Sequence, residues 1–310
     1  MADYNHQSVL LEEALESLNI RPSGTYVDAT FGRGGHSRAI LQRLNEAGRL
    51  IAFDRDPDAV AYAKQQFADE PRLTIEHCNF DQIAGVIEQY GLTEKIDGVL
   101  MDLGVSSPQL DAAGRGFSFL RSGPLDMRMD TTKGETARQW LARVKLADLI
   151  NVLKKYGEEK FARRIATAIV ETRAKREITE TGDLADIISN AIPVKEKNKH
   201  PATRSFQAIR IYINDELQAV ERGLRGAISI LAKGGRLSVI SFHSLEDRIV
   251  KRFMREVSSR PKLPAGLPVM EADIEVPFRV VGKPVVAGAD ELEQNPRSRS
   301  ARLRVLERCL

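Results

Sequence analysis

Asp28-Ala29-Thr30-Phe31-Gly32-Arg33-Gly34-Gly35-His36 is the stretch on which the reading of this chain turns. It follows a short β-rich run, Thr25-Tyr26-Val27-Asp28, and leads into a segment of helical spacing over 37–44. Glycines in a strand-to-helix turn let a ligand approach the backbone, and a helix N-terminus favours a negative group. A Gly-rich turn alone is a weak signal, because a tight turn that binds nothing has the same sequence. Spacing narrows the choice. Asp28, Gly32 and Gly34 keep steps of two, with Thr30 where a first glycine would stand. A dinucleotide GxGxxG pattern would need glycine at 37, and that residue is Ser37.

Working outward, Arg49–Phe53 reads as a second strand closed by Asp54, which lies 20 residues after Gly34. An acid there can accept hydrogen bonds from both hydroxyls of a ribose, in dinucleotide enzymes and methyltransferases alike. Pro57 suits the first turn of a helix over 58–67, and a helix is also expected over 8–18. Arg72–Glu76 and Ile96–Met101 are further strands, the latter apolar enough to be buried on both faces. Strands alternating with helices imply a parallel doubly wound α/β sheet. Phe80 and Asp81 follow the third strand, where a ring can pack on a purine and an acid can take its amino group. Phe80 as plain core is an equal reading. Cys78 beside them reads as a small buried apolar residue.

The pattern changes after Asp102. Residues 104–134 are rich in Gly, Ser, Pro and Asp without a sustained period, too long for a simple connection. Helices are expected throughout 135–192, with Phe161, Ile165, Ala168 and Ile169 on one stripe. A charged linker over 195–200 precedes a long helix over 204–231. Gly234-Gly235 returns the chain to strand over 236–242, and Ser244-Leu245-Glu246-Asp247 reads as a capping box. Residues 261–268 read as a loop and 301–307 as a late strand. The expected organisation is an α/β domain in two parts, 1–109 and 206–310, around an inserted helical domain at 110–205.

At 42% hydrophobic and 29% charged, the 310 residues suit a globular protein, and no apolar run is long enough to span a membrane. The first residues lack a leader pattern, so the cytoplasm is the expected compartment. Cys78 and Cys309 form no metal-ligand spacing, so no metal is expected. The net charge of +3 is uneven: 133–212 holds 17 basic and 10 acidic residues, +7, leaving −4 elsewhere. That bias is either a solvated helical face or a surface that meets phosphates, with Arg163, Arg164, Arg173, Lys175 and Arg176 as the candidate RNA contacts.

Ligands bind beyond the carboxyl ends of strands in such sheets, which directs attention to Asp102-Leu103-Gly104-Val105-Ser106-Ser107-Pro108-Gln109. Amino-methyltransferases of nucleic acids carry Asn/Asp/Ser-Pro-Pro-Tyr/Phe here, and Ser107-Pro108-Gln109 is a partial match. The exocyclic amine of cytosine is a poor nucleophile, helped by acceptors aimed at its N–H groups. Asp102, Ser106, Ser107 and Pro108 are the catalytic candidates. A carbon-5 methyltransferase would need a nucleophilic cysteine, commonly after proline, and the chain has no Pro-Cys. His6 and His243 read as satisfied hydrogen-bonding residues or as bases, and 126–130 as a structural turn or a lip over the target base. An NAD oxidoreductase and an RNA-binding module without catalysis are the competing functions. The first lacks its glycine pattern; the second would be expected to have lost the turn, Asp54 or Asp102.

The segments DATFGRGGHS (28–37), FDRDP (53–57), DLGVSSPQLD (102–111), GPLDMRMD (123–130), YGEEKFARRIA (156–166), HPATRSFQAIRI (200–211), SFHSLEDRIVKRFM (241–254) and NPRSRSARLR (295–304) resemble the ribosomal RNA small-subunit methyltransferase H family, also called MraW. The resemblance runs over nearly the whole chain. It implies a Rossmann-like class I methyltransferase sheet with an inserted all-helical domain. It also implies S-adenosyl-L-methionine as cofactor, held by Gly34, Gly35, His36, Asp54, Phe80, Asp102 and Gln109. The implied substrate is a cytidine in the decoding region of 16S rRNA of the small subunit, methylated on N4.

Overall fold

A computed structural model describes residues 8–194, 200–260 and 275–310. His6, the linker residues 195–199 and the loop expected over 261–268 lie outside the described residues. The chain forms two compact units, Met1–Gly104 with Leu217–Leu310, and Val105–Glu216. The second begins earlier and ends later than the 110–205 insert read from the sequence.

The first unit is built on a seven-stranded sheet: β1 (Thr25–Asp28), β2 (Arg49–Asp54), β3 (Leu73–His77), β4 (Ile96–Asp102), β5 (Leu231–Ser241), β6 (Phe278–Val285) and β7 (Arg302–Arg308). Their order is β3-β2-β1-β4-β5-β7-β6. β1 to β5 pair in parallel, whereas β7 runs antiparallel to both neighbours. Adjacent residues of a strand face opposite sides, and here they feed two cores. Val27, Val99, Val239 and Met101 meet Ile83, Leu224 and Phe253 on one face. Tyr26, Leu100 and Ile240 meet Leu15, Leu18 and Ile40 on the other.

The helices on these faces are α1 (Leu11–Leu18), α2 (Gly35–Arg43), α3 (Pro57–Gln66), α4 (Ile83–Gln89), α11 (Glu216–Ile230) and α12 (Ser244–Val257), with a short α13 (Ala289–Gln294). Pro57 does open α3, and the Asp56 side chain caps it by accepting the Asp58 N–H at 3.0 Å. The chain winds outward from β1 through β2 to β3, then returns to β4 on the other side of β1. That reversal opens a crevice at the carboxyl ends of β1 and β4.

The second unit holds α5 (Ser107–Asp111), α6 (Ala137–Arg143), α7 (Leu146–Gly157), α8 (Ala162–Arg173), α9 (Thr181–Ala191) and α10 (Thr203–Ile213) around Trp140, Leu149, Leu153, Ile165, Ile169, Leu184 and Phe206. On α8 the buried stripe is Ala162, Ile165, Ala166 and Ile169, so Ala166 rather than Ala168 faces the core. The long helix expected over 204–231 is two helices, broken where Asp215 takes φ 50°. The break frees the Asn214 side chain. It donates to Met127 O (2.7 Å) and Arg210 O (2.9 Å) and accepts from Met129 N (2.7 Å). With Arg115 donating to Arg128 O and Met129 O, it satisfies backbone groups of Met127, Arg128 and Met129 within the irregular 104–134 segment.

Candidate active site

Asp28, at the end of β1, is buried and spent on local order. Its Oδ1 accepts Thr30 N (3.1 Å) and its Oδ2 accepts the Ser37 hydroxyl (2.6 Å), which locks strand to helix across the turn. Burial pushes its carboxyl above the usual carboxylate range. Within the turn Gly32 and Gly34 take φ 56° and 72°, values that favour glycine. A Cβ on Gly34 would stand 2.6 Å from Phe31 Cζ, and one on Gly35 would collide with the Ser8 side chain. The protein's own packing therefore demands those two glycines, whatever a ligand adds.

Asp54 ends β2 and reaches across to the turn. Its Oδ2 accepts Gly32 N at 2.7 Å and its Oδ1 accepts Asp56 N at 2.8 Å. Burial, only partly offset by these amides, raises its carboxyl to about 6. Each oxygen keeps a second acceptor site.

Asp102 ends β4. Its N–H donates to the Thr30 hydroxyl at 2.7 Å, so the residue standing in the glycine position fastens β1 to β4. Oδ1 of Asp102 is buried with no hydrogen-bond partner among the described residues. Oδ2 lies 3.8 Å from Nδ1 of His36. Burial first, then the charges of Asp28 and Glu246, hold the Asp102 carboxyl well above its ordinary value. The His36 ring is buried, with Nε2 3.1 Å from Val9 O. Val9 O can only accept, so Nε2 carries a proton there and Nδ1 is the ring nitrogen that faces Asp102.

Phe80 and Asp81 are shared with the packing. The Phe80 ring lies against the core and over Gly223 of α11, where a Cβ would come within 2.5 Å of it. Arg222, one residue earlier, donates to Asp81 Oδ2 at 2.8 Å. Sequence reasoning missed both partners; the signal, an adjacent arginine and glycine with Arg222 141 residues from Asp81, is not readable without the fold.

Ser106, Ser107, Pro108 and Gln109 belong to the second unit. There they start α5: Gln109 Oε1 accepts Ser106 N at 3.0 Å, and Pro108 stands in the first turn where no N–H is needed. Of the five basic candidates, Arg163 and Arg164 are exposed on α8 opposite its buried stripe, and Lys175 is exposed beyond it. Arg173 instead donates to Leu141 O and Val144 O, closing the end of α6, and Arg176 pairs with Asp183. These two sit on a cavity of about 210 Å³ that Arg138, Lys175 and Ile178 also line. His243 is the N-cap of α12 in place of the expected Ser244; its ring accepts Glu246 N, and Glu246 accepts Phe242 N. No helix among the described residues is long and apolar enough to cross a membrane.

A reversed strand beside β5, a glycine turn after β1 and acids ending β1, β2 and β4 define a Rossmann-like class I methyltransferase sheet. The dinucleotide order 3-2-1-4-5-6 has no such reversal. The chain belongs to the MraW methylase family, whose model it matches over residues 3–309. Its cofactor is S-adenosyl-L-methionine and its class of reaction is rRNA methylation.

Several solved structures are similar in fold. An rRNA methylase from Streptococcus thermophilus is 10% identical over 98% of both chains, with a TM-score of 0.43. A SAM-dependent O-methyltransferase from Thermotoga maritima is 8% identical, over all of this chain and 69% of that one, with a TM-score of 0.43. NSun6 from Pyrococcus horikoshii is 11% identical, over 98% of this chain and 53% of that one, with a TM-score of 0.44. Likeness at this level does not carry a substrate from one chain to another.

Proposed function

We propose that this enzyme methylates the N4 amine of a cytidine in the decoding region of 16S rRNA, on the small ribosomal subunit in the cytoplasm. The observation that carries the cofactor half of this reading is the buried Oδ1 of Asp102 beside the glycine turn, which has no hydrogen-bond partner among the described residues. An orphaned buried acceptor calls for a donor, and the cofactor's ammonium is one. Asp54 keeps acceptor sites for both ribose hydroxyls. Gly34, Gly35 and His36 form the turn at the α2 N-terminus, where a carboxylate is favoured. Phe80 would border the adenine, and Gln109 completes the set through the family resemblance. The fit of the residues to the cofactor is therefore good, and when bound it supplies an activated methyl on a sulfonium.

Amine rather than carbon chemistry is supported by the cysteines. Cys78 packs at the edge of the core after β3 and Cys309 is at the C-terminal end, so neither lies at the end of β4. No covalent adduct is needed when the nucleophile is a nitrogen. Asp102 and the Ser106-Ser107-Pro108 segment offer acceptors that orient the N–H groups of the base, so that the lone pair faces the methyl. The N–C bond forms as the C–S bond breaks, and the nitrogen then gives up one proton to solvent.

In this reading the first unit holds the cofactor and the second contributes the RNA surface, with Arg163, Arg164 and Lys175 contacting phosphates. Methyl transfer from labelled cofactor to unmodified small subunits, followed by nucleoside analysis, tests it. N4-methylcytidine is the expected product.

A further inference from the structure

Several arginines of the first unit are committed to carboxylates: Arg21 to Asp97, Arg43 to Glu12, Arg72 to Glu70 and Arg304 to Asp247. Arg33 and Arg38 are not. Each guanidinium lies over an aromatic ring of the α3 region, Arg33 4.6 Å from the Tyr62 centroid and Arg38 4.8 Å from that of Phe67. Neither side chain makes a hydrogen bond or ion pair with a described residue. The two stacks form one patch, because Phe67 also meets Phe31 edge-on at 5.6 Å and bounds Gly34. Arg38 is exposed, and Arg33, Tyr62 and Phe67 are half-buried.

Stacking occupies the face of a guanidinium and leaves its in-plane N–H fork free, the fork that fits a phosphate in bidentate fashion. The ring also restricts the side chain before any ligand arrives, which lowers the ordering cost of binding. Two such forks, flanking the Gly34-Gly35 turn in the sequence, suit phosphates of a nucleic-acid backbone.

We propose that Arg33 and Arg38, stacked on Tyr62 and Phe67, form a second RNA-backbone contact surface, on the methyltransferase unit itself. This rests on RNA being the substrate, and the experiment separates the two ideas. Binding of unmodified small subunits and of a short single-stranded RNA is measured across a salt series. The proteins are the wild type, Arg33→Gln/Arg38→Gln, Tyr62→Leu and Arg163→Glu/Arg164→Glu, with S-adenosyl-L-methionine affinity measured in parallel by calorimetry.

The Arg33/Arg38 double variant is expected to bind RNA about tenfold more weakly per arginine at low salt. Its salt slope should fall by about 0.7 per lost phosphate contact on a single strand. Cofactor affinity should be unchanged. Tyr62→Leu should weaken RNA binding less and leave the salt slope in place, since the charge remains. An unaltered RNA affinity and slope in the double variant, with both reduced in Arg163→Glu/Arg164→Glu, would overturn the proposal and leave the helical unit as the RNA surface. A loss of cofactor affinity in the double variant would overturn it too, by assigning the arginines to the cofactor. Failure of the wild type to bind either RNA would instead strike the substrate reading on which the proposal stands.

Discussion

The hydroxyl of Thr30 accepts the backbone N–H of Asp102 at 2.7 Å, joining the ends of the two central strands directly beneath the crevice. A side chain thus does in this turn what a glycine cannot. Thr30→Val keeps the volume and removes the acceptor, leaving a buried N–H unpaired at a cost of about 1–3 kcal/mol. Thermal unfolding should show that loss, and Thr30→Ser should largely restore stability. Cofactor affinity should fall in the valine variant as well, because Asp102 is no longer held. Equal stability of all three proteins would remove the bond's assigned role.

Asp54 gives a pH dependence with a definite sign. Its folded value of about 6 is raised above the ordinary 3.8 by burial. The folded state therefore holds this proton more tightly than the unfolded chain. The group's relative contribution to stability is greatest below pH 4 and declines as pH rises through about 6. Cofactor binding runs the other way, since the ionised carboxylate is the better acceptor for ribose hydroxyls. Calorimetry should show S-adenosyl-L-methionine affinity weakening as pH drops below about 6. Asp54→Ala should cost about 1.5–3 kcal/mol of binding at neutral pH, the worth of a charge-assisted contact. It should also flatten the pH profile.

Asp102 separates stability from function. Burial and the neighbouring charges of Asp28 and Glu246 disfavour its ionisation. Asp102→Asn removes that repulsion at nearly constant shape, so the variant should melt at a higher temperature than the wild type. The gain should be larger at high pH, where the wild-type carboxyl is forced to ionise. Methyl transfer should fall sharply in the same variant, because the acceptor for the cofactor's ammonium is weakened. A variant less stable than the wild type would contradict the electrostatic account.

Much of this fold is visible in local sequence. The strand-turn-helix at Thr25–Arg43, the acid closing β2 and the apolar run of β4 follow from periodicity and glycine placement. The break at Asn214-Asp215 does not, since both residues are tolerated inside helices. The long-range partners of Asn214, the Met127 carbonyl and the Met129 N–H, show what the break is used for. Likewise the Lys and Arg count of the helical segment gives a charge but no assignment. Arg173 and Arg163 look alike in sequence, and the fold spends one on carbonyls and leaves the other exposed.

That contrast is testable within α8. Arg163→Glu/Arg164→Glu should weaken RNA binding and make it less dependent on salt, at no cost in thermal stability, and leave cofactor affinity alone. Arg173→Met should do the reverse. Losing the bonds to Leu141 O and Val144 O should cost about 1–3 kcal/mol of stability while RNA affinity changes little. Melting curves beside filter binding would read both. RNA affinity lost equally in the two variants would mean that the exposed face has no special role.

The chemistry itself is decided by two residues with opposite expectations. Cys78 is partly buried against the core after β3 and has no part in a nitrogen methylation. Cys78→Ser should keep substantial methyl transfer. Ser107→Ala alters the Ser-Pro start of α5, the segment proposed to position the base. It should lower turnover far more than cofactor affinity, since a misplacement of about 1 Å can cost about a hundredfold in rate. Single-turnover assays on unmodified subunits, with calorimetry for the cofactor, separate rate from binding. Loss of activity in a folded Cys78→Ser variant, or 5-methylcytidine as the product, would replace direct attack by the amine with a covalent route through the thiol.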